Sequence, residues 1–549
     1  MQQTKWLLLG SSLGALALLA TAALQENVFR EWRRIQAEAH AADAPIPVHL
    51  RQVVNTSLGI ADRCVSCHVA MGPGDQEVAG PGMAAHPPVV HDPGEYGCTT
   101  CHGGQGRATD KADAHGTVPF WPGPMLPRGM SEAGCGTCHT AIAVPQMEGL
   151  RRARVAFTRL DCLSCHRVDG RGGTLRPDLG GMQGPDLSRV GTGGYDSKWY
   201  DSHLKKSSAP GPWRSAFGSI SESDRALLAT YLATRVAAPR LVEAKSVFHA
   251  TGCLGCHKVS GVGGDDGPDL TRAGEKDPGR ADFAAVSGPR TLAGWFDEHV
   301  RAPAAVVAGS LMPAPPVSAA EVEALTFYTL SLRRRDIAGS YLPRDRMRVA
   351  RFGEREFTSD GATLFGAFCS GCHGRAGQGH RSPGLPTFPS VANPDFLAVA
   401  PDALIAETIR RGRPGRRMRA WGDGSTGLRD EDVPVLVSHL RSLAGVPAPV
   451  VDPQPPRWVN GDRAEGERLF SMICAGCHGA RGEGGEGLAL NNPVLQQFAT
   501  DTYFVETISR GRRGTAMAAF TEPAPTRPTL SRQEIESIVT FIRTWGVTP

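Results

Sequence analysis

The sequence predicts a mostly α chain: an N-terminal anchor helix, a loop-rich module with three cysteine motifs, then four small all-α domains. Three observations predict this. Cysteine occurs only in C-x-x-C-H motifs, and their spacing splits the chain into two regimes. An apolar run stands at the N-terminus. Each of the last four motifs is followed by an amphipathic segment, three of them with helix-start signals. The chain has 549 residues and a mass of 58.3 kDa, enough for roughly three to five domains. Gly (66) and Pro (42) approach a fifth of it, so loops are plentiful. Aromatic residues are only 6%, thin for large aromatic cores, so something other than side chains fills the centres. The formal charge of +4 gives no argument for nucleic acid as a partner.

Residues 1–42 are expected to form the anchor and a following helix. Lys5 precedes an apolar run of 19 residues, Trp6 to Leu24, within the span of about 17–25 that crosses a bilayer. Its length, and its direct passage into the charged stretch Glu26 to Ala42, favour an uncleaved anchor. The triplet Ala20-Thr21-Ala22 favours the competing reading, a cleaved signal peptide. No cysteine lies near this segment, so a lipid-modified cysteine is excluded. Arg30 to Arg34 would be translocated, which leaves the positive-inside signal weak.

All 14 cysteines lie in seven motifs. They are Cys64/Cys67/His68, Cys98/Cys101/His102, Cys135/Cys138/His139, Cys162/Cys165/His166, Cys253/Cys256/His257, Cys369/Cys372/His373 and Cys474/Cys477/His478. None is left over, so a disulfide scaffold is excluded. Structural zinc takes four ligands, commonly from paired knuckles, and an odd number of knuckles each followed by His fits that poorly. C-x-x-C-H is the attachment signature of c-type haem. The two thiols add to the haem vinyl groups and the next residue, His, ligates the iron. The expected cofactors are therefore seven covalently bound c-type haems with their iron, and all 14 thiols are given the same attachment role. A ferric haem with both propionates ionised carries roughly −1, so seven bring the chain to about −3.

Successive first cysteines are 34, 37, 27, 91, 116 and 105 residues apart. Some thirty residues per haem cannot build an ordinary core. Residues 43–148 are therefore read as a trihaem module of loops and short helices, with the haems themselves as its core. Four units of another kind follow: 149–238, 239–338, 355–446 and 460–549. Each has a short helix, a motif, a Gly-rich loop and a final amphipathic helix. These helices are expected at Ser221–Arg235, Ser318–Arg333, Arg429–Ser442 and Ser531–Trp545, all but Arg429 opening on an N-cap-like Ser. The pattern is similar to the class I cytochrome c fold. The units form two duplicated pairs. Gly184-Pro185-Asp186-Leu187 recurs as Gly267-Pro268-Asp269-Leu270, and Trp199 with His203 recurs as Trp295 with His299. Leu364-Phe365 and Leu469-Phe470 stand alike before their motifs, and Glu407-Thr408-Ile409 precedes Met418 as Glu506-Thr507-Ile508 precedes Met517. Linkers are expected near Arg335–Phe357 and Ala444–Asp462.

The opposite face of each iron decides its use, because the axial pair moves the potential over about 0.8 V. Class I domains place an axial Met between the Gly-rich loop and the last helix. Met312, Met418 and Met517 stand there in the last three units. The trihaem module lacks such positions but has spare histidines, of which His86, His91 and His115 are chosen as distal ligands of three bis-His irons. His49 and His40 are set aside, Met71, Met83, Met125 and Met130 are minor alternatives, and the pairing of His to iron stays open. Unit four has Arg214-Ser215 where unit five has Leu311-Met312. Its sixth ligand is left open between a group from the head, Met182, Lys205, Lys206 and none. His203 and His299 are read as structural.

Arg30-Glu31-Trp32 with Gln36, Asp62-Arg63-Cys64, the string Tyr96-Gly97-Cys98 to Thr109, and Ala114-His115-Gly116 carry a resemblance. Over residues 25–235 the chain resembles membrane-anchored multihaem cytochromes c that accompany cytochrome b-type quinol-oxidising complexes in bacteria. The resemblance implies a periplasmic electron-accepting arm on the inner membrane, with quinol-oxidising membrane subunits as donor and a soluble or membrane electron acceptor beyond. No catalytic residue is assigned, and a non-catalytic electron-transfer subunit is the favoured reading. The alternative is a haem enzyme that reduces a small oxidised substrate at an open fourth iron. Arginines cluster near two of the Met positions: Arg410, Arg411, Arg413, Arg416, Arg417 and Arg419, then Arg510, Arg512 and Arg513. They are read as a docking rim for an acidic partner or, with more weight, as partners of haem propionates or a solvated face.

Overall fold

The computed structural model describes residues 2–41, 44–72, 78–80, 83–87, 89–119, 121–139, 141–173, 184–205, 220–333, 336–382, 387–449 and 452–546. Met182, Lys206, Arg214 and Ser215 lie outside the described residues, as does the side chain of Lys205.

The apolar run folds as one helix, Gln2–Asn27. At about 1.5 Å per residue it is long enough to cross a bilayer. Its leucines are exposed along the whole length, Leu7 at 74% and Leu18 at 74%, so none of the described residues covers its apolar surface. The continuous helix expected from Glu26 to Ala42 does not form. The backbone turns at 28–30 and restarts as Glu31–Ala37. The reason is burial of the second helix against the first motif. Trp32 and Gln36 are buried, Gln36 Nε2 donates to the Ser66 carbonyl at 2.9 Å, and His49 N donates to Gln36 Oε1 at 3.0 Å. A straight helix would hold these groups away from the module. Arg30 at the bend pairs with Glu26.

The trihaem-type module is built from short pieces. Val53–Asn55 pairs antiparallel with Ile60–Asp62, and His40–Ala41 lies between Ala44–Pro45 and Val78–Ala79. Its motif turns are Cys64–Ser66, Thr99–His102 and Ser131–Thr137. Its own side-chain core is small: Ala39, Ile46 and Val69.

Each later unit crosses an opening helix with a closing helix. The opening helices are Met147–Arg159, Pro239–Thr251, Gly361–Phe368 and Arg463–Leu469. The closing helices are Glu222–Ala233, Ala319–Ser331, Asp432–Ala444 and Arg532–Arg543. Ser221, Ser318 and Ser531 cap three of these, and Ser318 with Glu321 and Ser531 with Glu534 complete capping boxes. The fourth does not start at Arg429 as expected. It starts at Asp432, whose carboxylate does the organising instead: it accepts from Arg429 N at 2.7 Å and from Arg355 Nη1 and Nη2 at 2.8 and 2.6 Å.

The core is not divided unit by unit. One cluster runs from Leu126 and Val144 of the head through Phe248 and Leu330, Leu364 and Leu436, to Phe470 and Ile538. Unit four keeps a separate cluster of Phe157, Val168, Tyr200, Leu228, Tyr231 and Leu232.

The Arg355–Asp432 pair is nearly buried, Asp432 at 1% exposure. Asp432→Ala strands the guanidinium and is expected to destabilise residues 355–446 by about 3–5 kcal/mol, read as a lowered denaturant midpoint.

Candidate functional site

In each motif the chain makes one tight turn. The His amide donates back to the first Cys carbonyl at 2.8 Å in His68, 2.9 Å in His102, 2.8 Å in His139, and 2.9 Å in His166, His257 and His373. This sets both thiols and the imidazole on one side of a single turn. All 14 cysteines are free of disulfides.

The 14 thiols differ in what packs around them. First cysteines pack on side-chain cores: Cys135, Cys253, Cys369 and Cys474 on the main one, Cys162 on that of unit four. Their second cysteines Cys138, Cys165 and Cys477 do not belong to either cluster, and Cys477 is exposed where the other 13 are half-buried. The turn is the same in each motif, so the difference lies in what packs against it. The backbone of each of these three is held. Cys138 N donates to the Cys135 carbonyl at 3.1 Å, the Cys165 carbonyl accepts from Gly184 N at 2.8 Å, and the Cys477 carbonyl from Gly487 N at 2.9 Å. Cys256 and Cys372 stand at motif turns that pack on each other, Cys253–Gly255 of unit five on Ser370–His373 of unit six. Burial pushes the second thiols of the first two motifs up, Cys67 to about 11 and Cys101 in the same direction. The attachment role of Cys138, Cys165 and Cys477 thus rests on the motif, not on an enclosed position.

The later units also orient the imidazole. His166 Nδ1 donates to the Pro185 carbonyl at 2.9 Å, and His257 Nδ1 to Pro268 at 2.8 Å. His373 donates to Pro389 and His478 to Leu488, each at 2.8 Å. A proton held on Nδ1 leaves Nε2 with its lone pair free for a metal. Burial also holds His257, His373 and His478 below the usual imidazole pKa, which favours the neutral, ligating form. Pro185 and Pro268 are the prolines of the repeated Gly-Pro-Asp-Leu string, so the repeat now has a physical role. Pro389 and Leu488 do the same work without that string, and nothing in the sequence marked them.

In the head the structure gathers the chosen histidines into three pairs. His115 faces His68 with ring centroids 6.4 Å apart and planes at 26°. His86 faces His102 at 6.2 Å and 77°. His91 faces His139 at 6.1 Å and 25°. Two imidazoles sharing one metal through bonds of about 2 Å put their centroids about 6 Å apart. The three gaps therefore fit an iron between each pair. The sequence had chosen these histidines without deciding their pairing. His139 Nδ1 also lies 3.4 Å from Asp345 of a later segment.

Asp62 was noted only as part of a string, and the structure gives it a central position. It is buried, and it accepts from Cys98 N and Thr99 N at 2.7 Å and from Thr99 Oγ1 at 2.8 Å. It ties the turn of the second motif to the strand leading into the first.

Met418 and Met517 sit in loops with the same closure: Arg413 N donates to the Met418 carbonyl and Arg512 N to the Met517 carbonyl, both at 2.7 Å. Both side chains pack against the main core. Met312 is half-buried, its amide bonded to Ser310 Oγ at 3.2 Å. His203 and His299 make the same stack, each 4.8 Å from Trp199 or Trp295 with planes within 9°. Burial lowers His299 to about 4.

Most of the arginine cluster is committed to carboxylates. Arg417 and Arg419 reach Asp266 and Asp265 of unit five at 2.6 and 2.8 Å. Arg513 reaches Asp395 of unit six at 2.7 Å, and Arg416 bonds the Glu483 carbonyl of unit seven. Arg410 and Arg411 hold Glu407, and Arg510 holds Glu506. These are locks within and between units rather than a free rim. Arg413 Nη1, Arg417 Nη1 and Arg512 Nε are buried without a hydrogen-bond partner. Such donors suit an anionic group such as a haem propionate.

Comparison with known proteins agrees with this geometry. Residues 151–235 and 241–333 match the family described as Cytochrome c. Residues 356–440 and 461–542 match the family described as Cytochrome C oxidase, cbb3-type, subunit III. A cbb3-type cytochrome c oxidase subunit FixP of Bradyrhizobium diazoefficiens is 29% identical over 164 residues, 28% of this chain and 51% of that protein. Subunit CcoP of Azospirillum is 28% identical over 172 residues, 28% of this chain and 53% of that protein. Cytochrome c oxidase subunit 2 of Alkalihalophilus pseudofirmus is 33% identical over 99 residues, 17% of this chain and 25% of that protein. The chain thus spans about half the length of the first curated relatives it matches. The matched domains imply covalently bound haem c with its iron.

His86→Ala, His91→Ala and His115→Ala each remove one imidazole from one pair. Each is expected to open about one iron to carbon monoxide, read as a gain in the difference spectrum of the dithionite-reduced protein over the parent.

Proposed function

We propose that this multihaem c-type cytochrome is a heptahaem electron carrier, held at the bacterial inner membrane by its N-terminal helix with its haem units in the periplasm. The observation that carries the reading is the division of ligand types. Three imidazole pairs lie in the module next to the apolar helix, and the Met-bearing loops lie in the last three units. The haems supply reversible one-electron chemistry at iron. The chain supplies the thiols of all seven motifs, Cys138, Cys165 and Cys477 among them, the axial groups that set each potential, and the burial that shields it.

Bis-imidazole iron sits lower in potential than His/Met iron. Electrons entering beside the membrane therefore run downhill into units five to seven. The donor in this reading is a quinol-oxidising membrane complex of the cytochrome b type. The recipient is a soluble or membrane-bound acceptor. Relatives named as subunits of a cbb3-type oxidase support a place among membrane respiratory complexes. Met312, Met418 and Met517 are the distal ligands of the last three irons, and His115, His86 and His91 those of the first three.

A potentiometric titration of the full-length protein tests this. A haem count of seven per chain and lower potentials for the bis-His set are expected; the reverse order of potentials sinks the direction. Met517→His is expected to lower the potential of one centre and leave the others in place.

A further inference from the structure

The order of the motifs in the chain differs from their order in space. The second and third motifs are in backbone contact: the turn Thr99–His102 packs on Ser131–Thr137. The first two motifs are joined through Asp62, two residues before Cys64, which accepts from Cys98 N and Thr99 N at 2.7 Å. The third motif then meets unit five. Its turn packs on both the opening and the closing helix of unit five. Gly136, inside the motif, lies so close to the end of the closing helix that a Cβ there would come within 2.0 Å of the Ser331 carbonyl. No side chain fits in that space.

Unit five meets unit six in the same manner. A Cβ on Gly252 would come within 2.0 Å of the Gly371 amide, and Ser370 Oγ donates to the Ala250 carbonyl at 2.9 Å. The motif turn Cys253–Gly255 packs on the motif turn Ser370–His373. Unit six meets unit seven through Phe396 against Tyr503, 6.4 Å between centroids, and through the Arg513–Asp395 pair. Cys135, Cys253, Cys369 and Cys474 all line the one continuous core.

The fourth motif stands outside that series. Cys162 lines the separate core of unit four. Among the described residues that unit meets the rest through its opening helix, where Leu150 packs against the main core, through Val236 and Ala238 at its end, and through polar groups. Arg154 pairs with Glu243 at 2.6 Å, and Arg344 and Arg348 donate to the Thr192 and Gly194 carbonyls at 3.2 Å. Arg189 of unit four approaches His91, the distal imidazole of the third motif.

We propose that the third motif is a junction: the electron path passes from it directly to the fifth motif, and the fourth unit is a side branch. This rests on the electron-carrier reading. Every cysteine sulfur is a point where a macrocycle is joined, so a series of touching motif turns is a series of adjacent cofactors. The series here is first, second, third, fifth, sixth, with the seventh reached through the Arg513–Asp395 contact. A side branch stores or diverts charge without carrying the through current.

Full-length protein held in a lipid film on an electrode by its N-terminal helix receives electrons at the head. Two variants are compared with the parent by haem count, by midpoint potentials, and by the rate at which the His/Met centres are reduced. Cys162→Ala with Cys165→Ala prevents attachment at the fourth motif, whose unit has its own core. Gly136→Val leaves all seven motifs intact and forces the third motif off unit five. The first variant is expected to change the rate within about twofold and leave the His/Met potentials in place, and the second to slow it by more than about tenfold. Slowing in the first variant, or none in the second, overturns the branch. If the parent itself passes no electrons from the head to the His/Met centres, the carrier reading fails, whatever the route.

Discussion

The hydrogen bond from the motif histidine amide to the first cysteine carbonyl is the constraint from which the rest of this structure follows. It closes one turn and brings two thiols and an imidazole to one side. Covalently bound haem on such turns supplies the apolar bulk that a chain so poor in aromatic residues lacks. In the head this leaves almost no side-chain core, and the module holds together through contacts between motifs and through Asp62, which joins one turn to the next. Replacing a buried carboxylate that accepts three bonds leaves three donors unmet, so Asp62 matters well beyond its size.

Charge does a different job here from the one composition suggested. The arginines beside Met418 and Met517 are drawn inward by Asp265, Asp266, Asp395 and Glu407. They join units five, six and seven where the Met loops lie. Surface pairs of this kind are worth little singly, and their geometric effect is larger than their energy. They hold neighbouring loops in register. The few buried guanidinium nitrogens left over, on Arg413, Arg417 and Arg512, mark where anionic groups fit.

Much of the fold was legible because its signals are local. N-caps at Ser221, Ser318 and Ser531 mark the closing helices, since a capping oxygen binds an amide only three residues away. Where no such residue stands, the reading slipped: the helix expected at Arg429 begins at Asp432, held by the distant Arg355. The continuous helix from the anchor into Glu31–Ala37 failed for the same reason. Its break comes from Gln36 reaching Ser66, a contact that periodicity does not encode. The motifs likewise gave no sign that Cys138, Cys165 and Cys477 stand off the cores that their partner cysteines join, because burial depends on what packs against each turn.

The sequence by itself determined the seven motifs and the four later units, because each rests on residues a few positions apart. Only the tertiary structure decided which histidine faces which, placing His115 with His68, His86 with His102 and His91 with His139. It alone decided that the third motif lies on unit five while unit four keeps its own core. These are relations between surfaces brought together by packing, and the energy that selects them is spread over many distant contacts, with no local pattern in the chain to announce it.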